Sequence, residues 1–117
     1  MKTNNAIQEK SYVFAIKVIN IYKQLKNEKR EFILSKQLLR SGTSIGANIE
    51  EAIGAQTKKD FFSKITISYK EARETHYWIR LLSDTAYIEI SDRDILLNDI
   101  EEILRIIGSI QKTLRNS

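Results

Sequence analysis

A chain of 117 residues with 42% hydrophobic and 29% charged side chains is long enough to bury a core of its own and too apolar to stay disordered. It has no cysteine, which excludes a disulfide scaffold and any thiolate-bound zinc knuckle. No apolar leader follows Met1-Lys2-Thr3-Asn4-Asn5 and no run of 18 uncharged apolar residues occurs, so the reading is a single domain over 1–117, cytoplasmic, with no membrane partner.

Proline is absent and glycine occurs four times, so the strongest helix breakers are nearly missing. Four stretches space apolar or small residues by three and four, the signature of a helix seam. The first spans about 5–27, with Ser11, Ala15, Val18, Tyr22 and Leu25 in line and Tyr12, Phe14, Ile16, Ile19 and Ile21 flanking them. The second spans about 31–56, through Leu34, Leu38, Ser41, Ile45, Asn48, Ala52 and Ala55. Its centre carries no charge from Ser41 to Ile49 and holds Gly42 and Gly46. Each glycine costs about 1 kcal/mol against alanine inside a helix. That cost is offset either by tight packing within the bundle or by close passage of a ligand or nucleic-acid backbone.

The third stretch, about 58–83, lines up Phe61, Ile65, Ser68, Ala72, Thr75, Ile79 and Leu82, and the fourth, about 92–115, lines up Leu96, Ile100, Ile103, Ile107, Ile110 and Leu114. Ser91-Asp92-Arg93-Asp94 reads as an N-cap followed by acids that suit the helix dipole, and Thr57-Lys58-Lys59-Asp60 as a weaker form of the same signal. Short connections join antiparallel neighbours. The expected fold is therefore an all-α, antiparallel, up-down four-helix bundle. The fourth helix carries apolar residues over an arc of roughly 200° at about 100° per residue, more than one core needs. Surplus apolar surface of this kind points to self-association or to another protein partner.

Chemistry is sparse. A di-iron bundle needs two Glu-x-x-His pairs, but His76 is the one histidine and Arg73 stands three residues before it. There is no Gly-x-Ser-x-Gly elbow, and Gly42-Thr43-Ser44-Ile45-Gly46 lacks the lysine of a phosphate loop. No metal, cofactor or catalytic residue is expected, and the reading is non-enzymatic. Arg40 faces glutamates across the second and third helices, and Arg40, Ser44, Asn48, Glu51, Glu71 and Glu74 form a candidate polar network. A network of this kind fixes helix register, with a binding or catalytic role as the other reading.

Net charge is +4, split as 13 Lys/Arg against 6 Asp/Glu over residues 1–70 and 6 against 9 over residues 71–117. The basic half either solvates helix faces or forms a footprint for RNA or DNA phosphates. On the second reading the candidates are Lys10, Lys17 and Lys23 on the first helix and Lys58, Lys59, Lys70 and Arg73 on the third. No aromatic stacking motif accompanies them, so contact would be to phosphates.

The string Gln37-Leu38-Leu39-Arg40-Ser41-Gly42-Thr43-Ser44-Ile45-Gly46-Ala47-Asn48-Ile49-Glu50-Glu51-Ala52 resembles the signature of bacterial four-helix-bundle proteins encoded in 23S rRNA intervening sequences. Asp60-Phe61, Lys64, Lys70-Glu71-Ala72-Arg73-Glu74-Thr75 and Tyr77-Trp78 match its second half. The resemblance implies a four-helix protomer that assembles as a barrel-like homopentamer. It also implies a likeness in fold to the accessory variability protein of diversity-generating retroelements, a pentamer that binds a reverse transcriptase and nucleic acid. It brings no catalytic residues. The sharpest matches are Arg40, Ser41, Asn48, Glu51 and Glu74.

Overall fold

A computed structural model describes residues 2–117, with side chains from Ala6 onward. Four helices follow in order: α1 (Lys2–Asn27), α2 (Leu34–Ile53), α3 (Lys58–Asp84) and α4 (Ile90–Arg115), with no strand among the described residues. α2 packs between α1 and α3, and α4 closes the ring between α3 and α1. The result is an antiparallel up-down rod of 47 × 21 × 19 Å, longer than the roughly 39 Å of a 26-residue helix at 1.5 Å per residue because the connections and chain end extend past the helices. No helix among the described residues is long and apolar enough to cross a membrane.

The core is a ladder of branched aliphatics, including Leu38, Ile45 and Ile49 of α2, Ile65 and Ile79 of α3, and Leu96, Ile100, Ile103 and Ile107 of α4. The seams of α3 and α4 are those of the spacing argument. That of α1 is turned: Ile7, Ser11, Phe14, Val18, Ile21 and Leu25 are buried, while Ala15 and Tyr22 are half-buried. Phe14 and Ile21 therefore face inward rather than flanking the seam. α1 is apolar on so many sides that the three-and-four spacing fits two phases.

Helix ends also differ from expectation. α1 begins at Lys2 rather than near residue 5. α2 starts at Leu34 because Glu31 stays outside it as a cap; its carboxylate accepts from the amides of Ile33, Leu34 and Ser35. α2 stops at Ile53, so Ala55 lies beyond the helix. Thr57 caps α3, its hydroxyl accepting from the Asp60 amide at 3.1 Å. α4 begins at Ile90, with no side-chain cap at Glu89, so Ser91 lies inside the first turn and is exposed. The weaker cap signal is thus the one that forms.

Gly42 and Gly46 mark the approach of α2 to α1. A Cβ on Gly42 would stand 2.8 and 2.9 Å from the two Val18 methyl carbons, and one on Gly46 would meet the Ser11 carbonyl oxygen at 3.5 Å. The uncharged middle of α2 is packed against a neighbouring helix.

Candidate nucleic-acid interface

α3 and α4 run antiparallel in a fixed register. Gln111 Nε2 donates to Thr66 Oγ1 at 3.3 Å, His76 Nε2 lies 3.1 Å from Glu101 Oε2, and the Arg115 guanidinium sits 5.6 Å from the Phe62 ring centroid. In each pair the two residue numbers add to 177, so any residue of α3 can be placed level with its partner on α4. Arg73 is then almost level with Arg105, Lys70 lies between Arg105 and Lys112, and Lys59 lies just past Arg115.

Lys59, Lys70 and Arg73 project outward from α3 within an arc of roughly 60°, and Arg105, Lys112 and Arg115 from α4 within roughly 80°, at about 100° per residue. All six are exposed, and none is within ion-pair distance of a carboxylate among the described residues. Together they cover one outer face over roughly 20 Å, at 1.5 Å per residue. Lys58, also exposed, stands at the same end as Lys59. The face has a polarity. Its other end, beyond His76, carries Glu101, paired with His76, and Asp94, paired with Arg93.

The remaining candidate cations are held elsewhere. Lys10 pairs with Glu102 at 3.2 Å and Lys17 with Asp99 at 2.6 Å, both bridging α1 to α4. Lys23 is exposed on α1, away from the α3–α4 face.

The polar residues of α2 divide into two groups. Arg40 donates to Glu71 at 3.2 Å and to Glu74, and Glu74 also accepts from Trp78 Nε1 at 2.9 Å. Ser44 and Asn48 instead turn back on their own helix, donating to the carbonyls of Arg40 and Ser44 at 2.6 and 2.8 Å. Glu51 pairs with Lys64 at 2.8 Å. That hydrogen bond raises the Lys64 pKa. The Arg40 cluster is half-exposed and bridges α2 to α3. Among the described residues no three His, Asp or Glu side chains converge as a metal site would require.

The sequence matches the 23S rRNA-intervening sequence proteins over residues 3–109. The chain belongs to that family. It is also similar to a crystal structure of a protein of unknown function, of the S23 ribosomal protein family, from Bacteroides thetaiotaomicron VPI-5482. The two share 49% identity over 94% of this chain and 98% of the other, with a TM-score of 0.92. The comparison with curated proteins gave no match.

For this member of the intervening-sequence family, the cations of α4 were not legible in the sequence. Arg105, Lys112 and Arg115 lie in the half of the chain with net negative charge, after the acids Asp92, Asp94, Asp99, Glu101 and Glu102 that open the same helix. Their spacing of seven and three residues was the available signal, and it becomes informative only once α4 is set in register against α3.

Proposed function

We propose that this protein is a non-enzymatic, oligomeric interaction protein that holds RNA or DNA by its phosphates across the outer face of α3 and α4. The observation that carries this reading is the segregation of charge. Lys10 and Lys17 of α1 are paired with carboxylates of α4, whereas Lys59, Lys70, Arg73, Arg105, Lys112 and Arg115 gather on the α3–α4 face with no carboxylate partner among the described residues. A duplex presents one phosphate charge per about 1.7 Å of axis, so a face of roughly 20 Å can engage several phosphates at once. With up to six contacts, affinity should fall roughly a thousandfold between 50 and 200 mM salt. Replacing Lys59, Lys70 and Arg73 together by glutamate should abolish binding at physiological salt, while single replacements should each lower the salt slope by about one. Titrations of labelled duplex across a salt series test this. Binding that is insensitive to salt, or that survives the triple reversal, would overturn it.

Self-association is supported by a separate surface. Tyr12, Ile16 and Ile19 form a stripe on α1 nearly opposite its buried face and are 67%, 46% and 36% exposed. Such a stripe is unusual on a surface that stays in water. A second copy of the chain is the occupant favoured here, in the pentameric arrangement that the sequence resemblance implies. Light scattering should give a mass several times that of the 13.6 kDa chain, falling to the monomer in Ile16→Lys. If the same stripe instead captured a different protein and the purified chain stayed monomeric, the scaffold reading would replace this one.

A further inference from the structure

We propose that the groove at the Lys59 end of the basic face receives a single unpaired nucleotide of a bound strand, its base on Phe62 and its phosphate among Lys58, Lys59 and Arg115; this rests on the reading of that face as a phosphate-binding surface. The groove has a volume of about 250 Å³ and a floor of Phe62 and Leu114 between the start of α3 and the end of α4. That volume lies just below the roughly 300 Å³ at which pockets for drug-sized ligands begin, and suits one base.

Charge separates this groove from the other surface depressions described. In the trough between α1 and α4 the lysines Lys10 and Lys17 are neutralised by Glu102 and Asp99, and Glu9 adds a further carboxylate. The depressions at the opposite end and along α4 include Glu28, Glu89, Asp92, Asp94 or Glu101. Of these depressions, the groove over Phe62 has three cations, Lys58, Lys59 and Arg115, at its rim and no Asp or Glu side chain in its lining, which Ser117 completes. A phosphate would meet acidic side chains in each of the others and the most positive lining in this one, which also continues the cationic face already set out.

The ring itself is prepared for a flat cationic or π partner. Arg115 already lies over Phe62 at 5.6 Å, and Phe62 is half-buried, so the ring is held in place by its surroundings. A base can stack on the same ring while the guanidinium moves to the adjoining phosphate, exchanging one favourable contact for two. Stacking of one base on an aromatic side chain changes affinity by roughly 5- to 150-fold. A fully paired duplex has no free base to offer, so the groove should distinguish paired from unpaired ends.

The test compares a blunt duplex with the same duplex carrying a short single-stranded overhang, in RNA and DNA form, by fluorescence anisotropy on the intact protein. The overhang should bind at least fivefold tighter, and Phe62→Leu, which keeps an apolar floor, should remove that difference. Phe62→Trp should retain it, and thermal melts of both variants should show that the bundle is intact. Equal affinities for the two duplexes, or a preference that persists in Phe62→Leu, would overturn the proposal while leaving phosphate binding standing. Adenosine monophosphate binding as tightly as the overhang would reassign the groove to a free nucleotide and equally overturn it. Failure of both duplexes to bind would overturn the reading of the basic face beneath it.

Discussion

Two of the four seams of the bundle, α2–α3 and α1–α4, are closed by different chemistry. Between α2 and α3 the residues are small and their hydroxyls are buried: Ser68 donates to the Ile45 carbonyl at 2.9 Å, and Thr75 to Ser41 Oγ at 2.9 Å. Side chains of that size allow the helices to approach closely, and the hydroxyls leave no donor unsatisfied. Outside this dry line, Arg40 with Glu71 and Glu74, and Lys64 with Glu51, cross the seam at its edge. Between α1 and α4 there is instead a trough, with depressions of about 400 and 270 Å³ bridged by Lys10–Glu102 and Lys17–Asp99. Long charged side chains can span a gap that small ones could not. The same fold thus has one seam fixed by packing and another spanned by ion pairs at its surface.

The largest effect should separate the seams by the cost of an identical truncation. Ile45 is wholly buried on α2, whereas Ile103, equally buried, also lines the α1–α4 trough. Truncating a core isoleucine to alanine costs about 2–5 kcal/mol, more where the surroundings cannot relax or fill the void. Ile45→Ala should fall in the upper part of that range and Ile103→Ala in the lower part, as measured by denaturant unfolding. Equal costs would mean that the trough is closed in solution.

A smaller effect is expected where α2 meets α1. Alanine at Gly42 would favour the helix by about 1 kcal/mol, but its methyl would collide with Val18, whose branched side chain is stiff at χ1. Overpacking of this kind costs roughly 1–3 kcal/mol, so Gly42→Ala should destabilise by about 1 kcal/mol on balance. In a Val18→Ala background the same change should become neutral or stabilising, and a double-mutant cycle reads the coupling directly. No coupling would place the glycine's purpose elsewhere.

These contrasts show what the sequence makes legible and what it does not. Four helices follow from spacing, and the phases of α3 and α4 follow because each has one dominant stripe, Ile65 to Leu82 and Leu96 to Ile110. The phase of α1 does not, since Phe14 and Ile21 compete with Ala15 and Tyr22 for the inward positions and only the neighbouring helices decide between them. Caps are local chemistry, yet Ser91 fails where Thr57 succeeds because α4 begins at Ile90, before the serine is reached. The breadth of apolar surface on α4 was only partly surplus: Leu97, Leu104 and Ile106 pack against the core, and Ile95 remains 52% exposed. The candidate interface was half legible. Lys58, Lys59, Lys70 and Arg73 were identifiable from their helix, but the diversion of Lys10 and Lys17 into ion pairs, and the arrival of Arg105, Lys112 and Arg115, depend on which helix stands beside which.

Acid should weaken the cap that leads into the packed seam. Burial works to raise the Glu31 pKa, but hydrogen bonds from the amides of Ser35, Leu34 and Ile33 outweigh it, and the net shift is below the ordinary value of 4.5. A carboxyl lowered on folding contributes stability that is fully present above its unfolded pKa and is lost as pH falls through the folded one. The stability difference between the native chain and Glu31→Gln should therefore be constant at neutral pH, near the 1 kcal/mol typical of a helix cap, and shrink below about pH 4.5. A difference that grows on acidification would contradict the capping role.

The smallest effect belongs to the bridged seam. Lys17 and Asp99 are 2.6 Å apart, with side chains 41% and 28% exposed, and exposed pairs of this kind contribute about 0–1 kcal/mol because water and salt screen them. Asp99→Asn should therefore cost no more than that, and the cost should vanish as salt is raised, unlike the truncation of Ile45. The paired state has a second consequence that can be measured without unfolding. Freed from Asp99, Lys17 would add an unpaired cation to the α1–α4 side of the rod, away from the α3–α4 face. If phosphates are held on the α3–α4 face alone, Asp99→Asn should leave the salt slope of duplex binding where it was. A slope steeper by one would show that nucleic acid reaches across the trough, and that the ion pairs there compete with it for lysine.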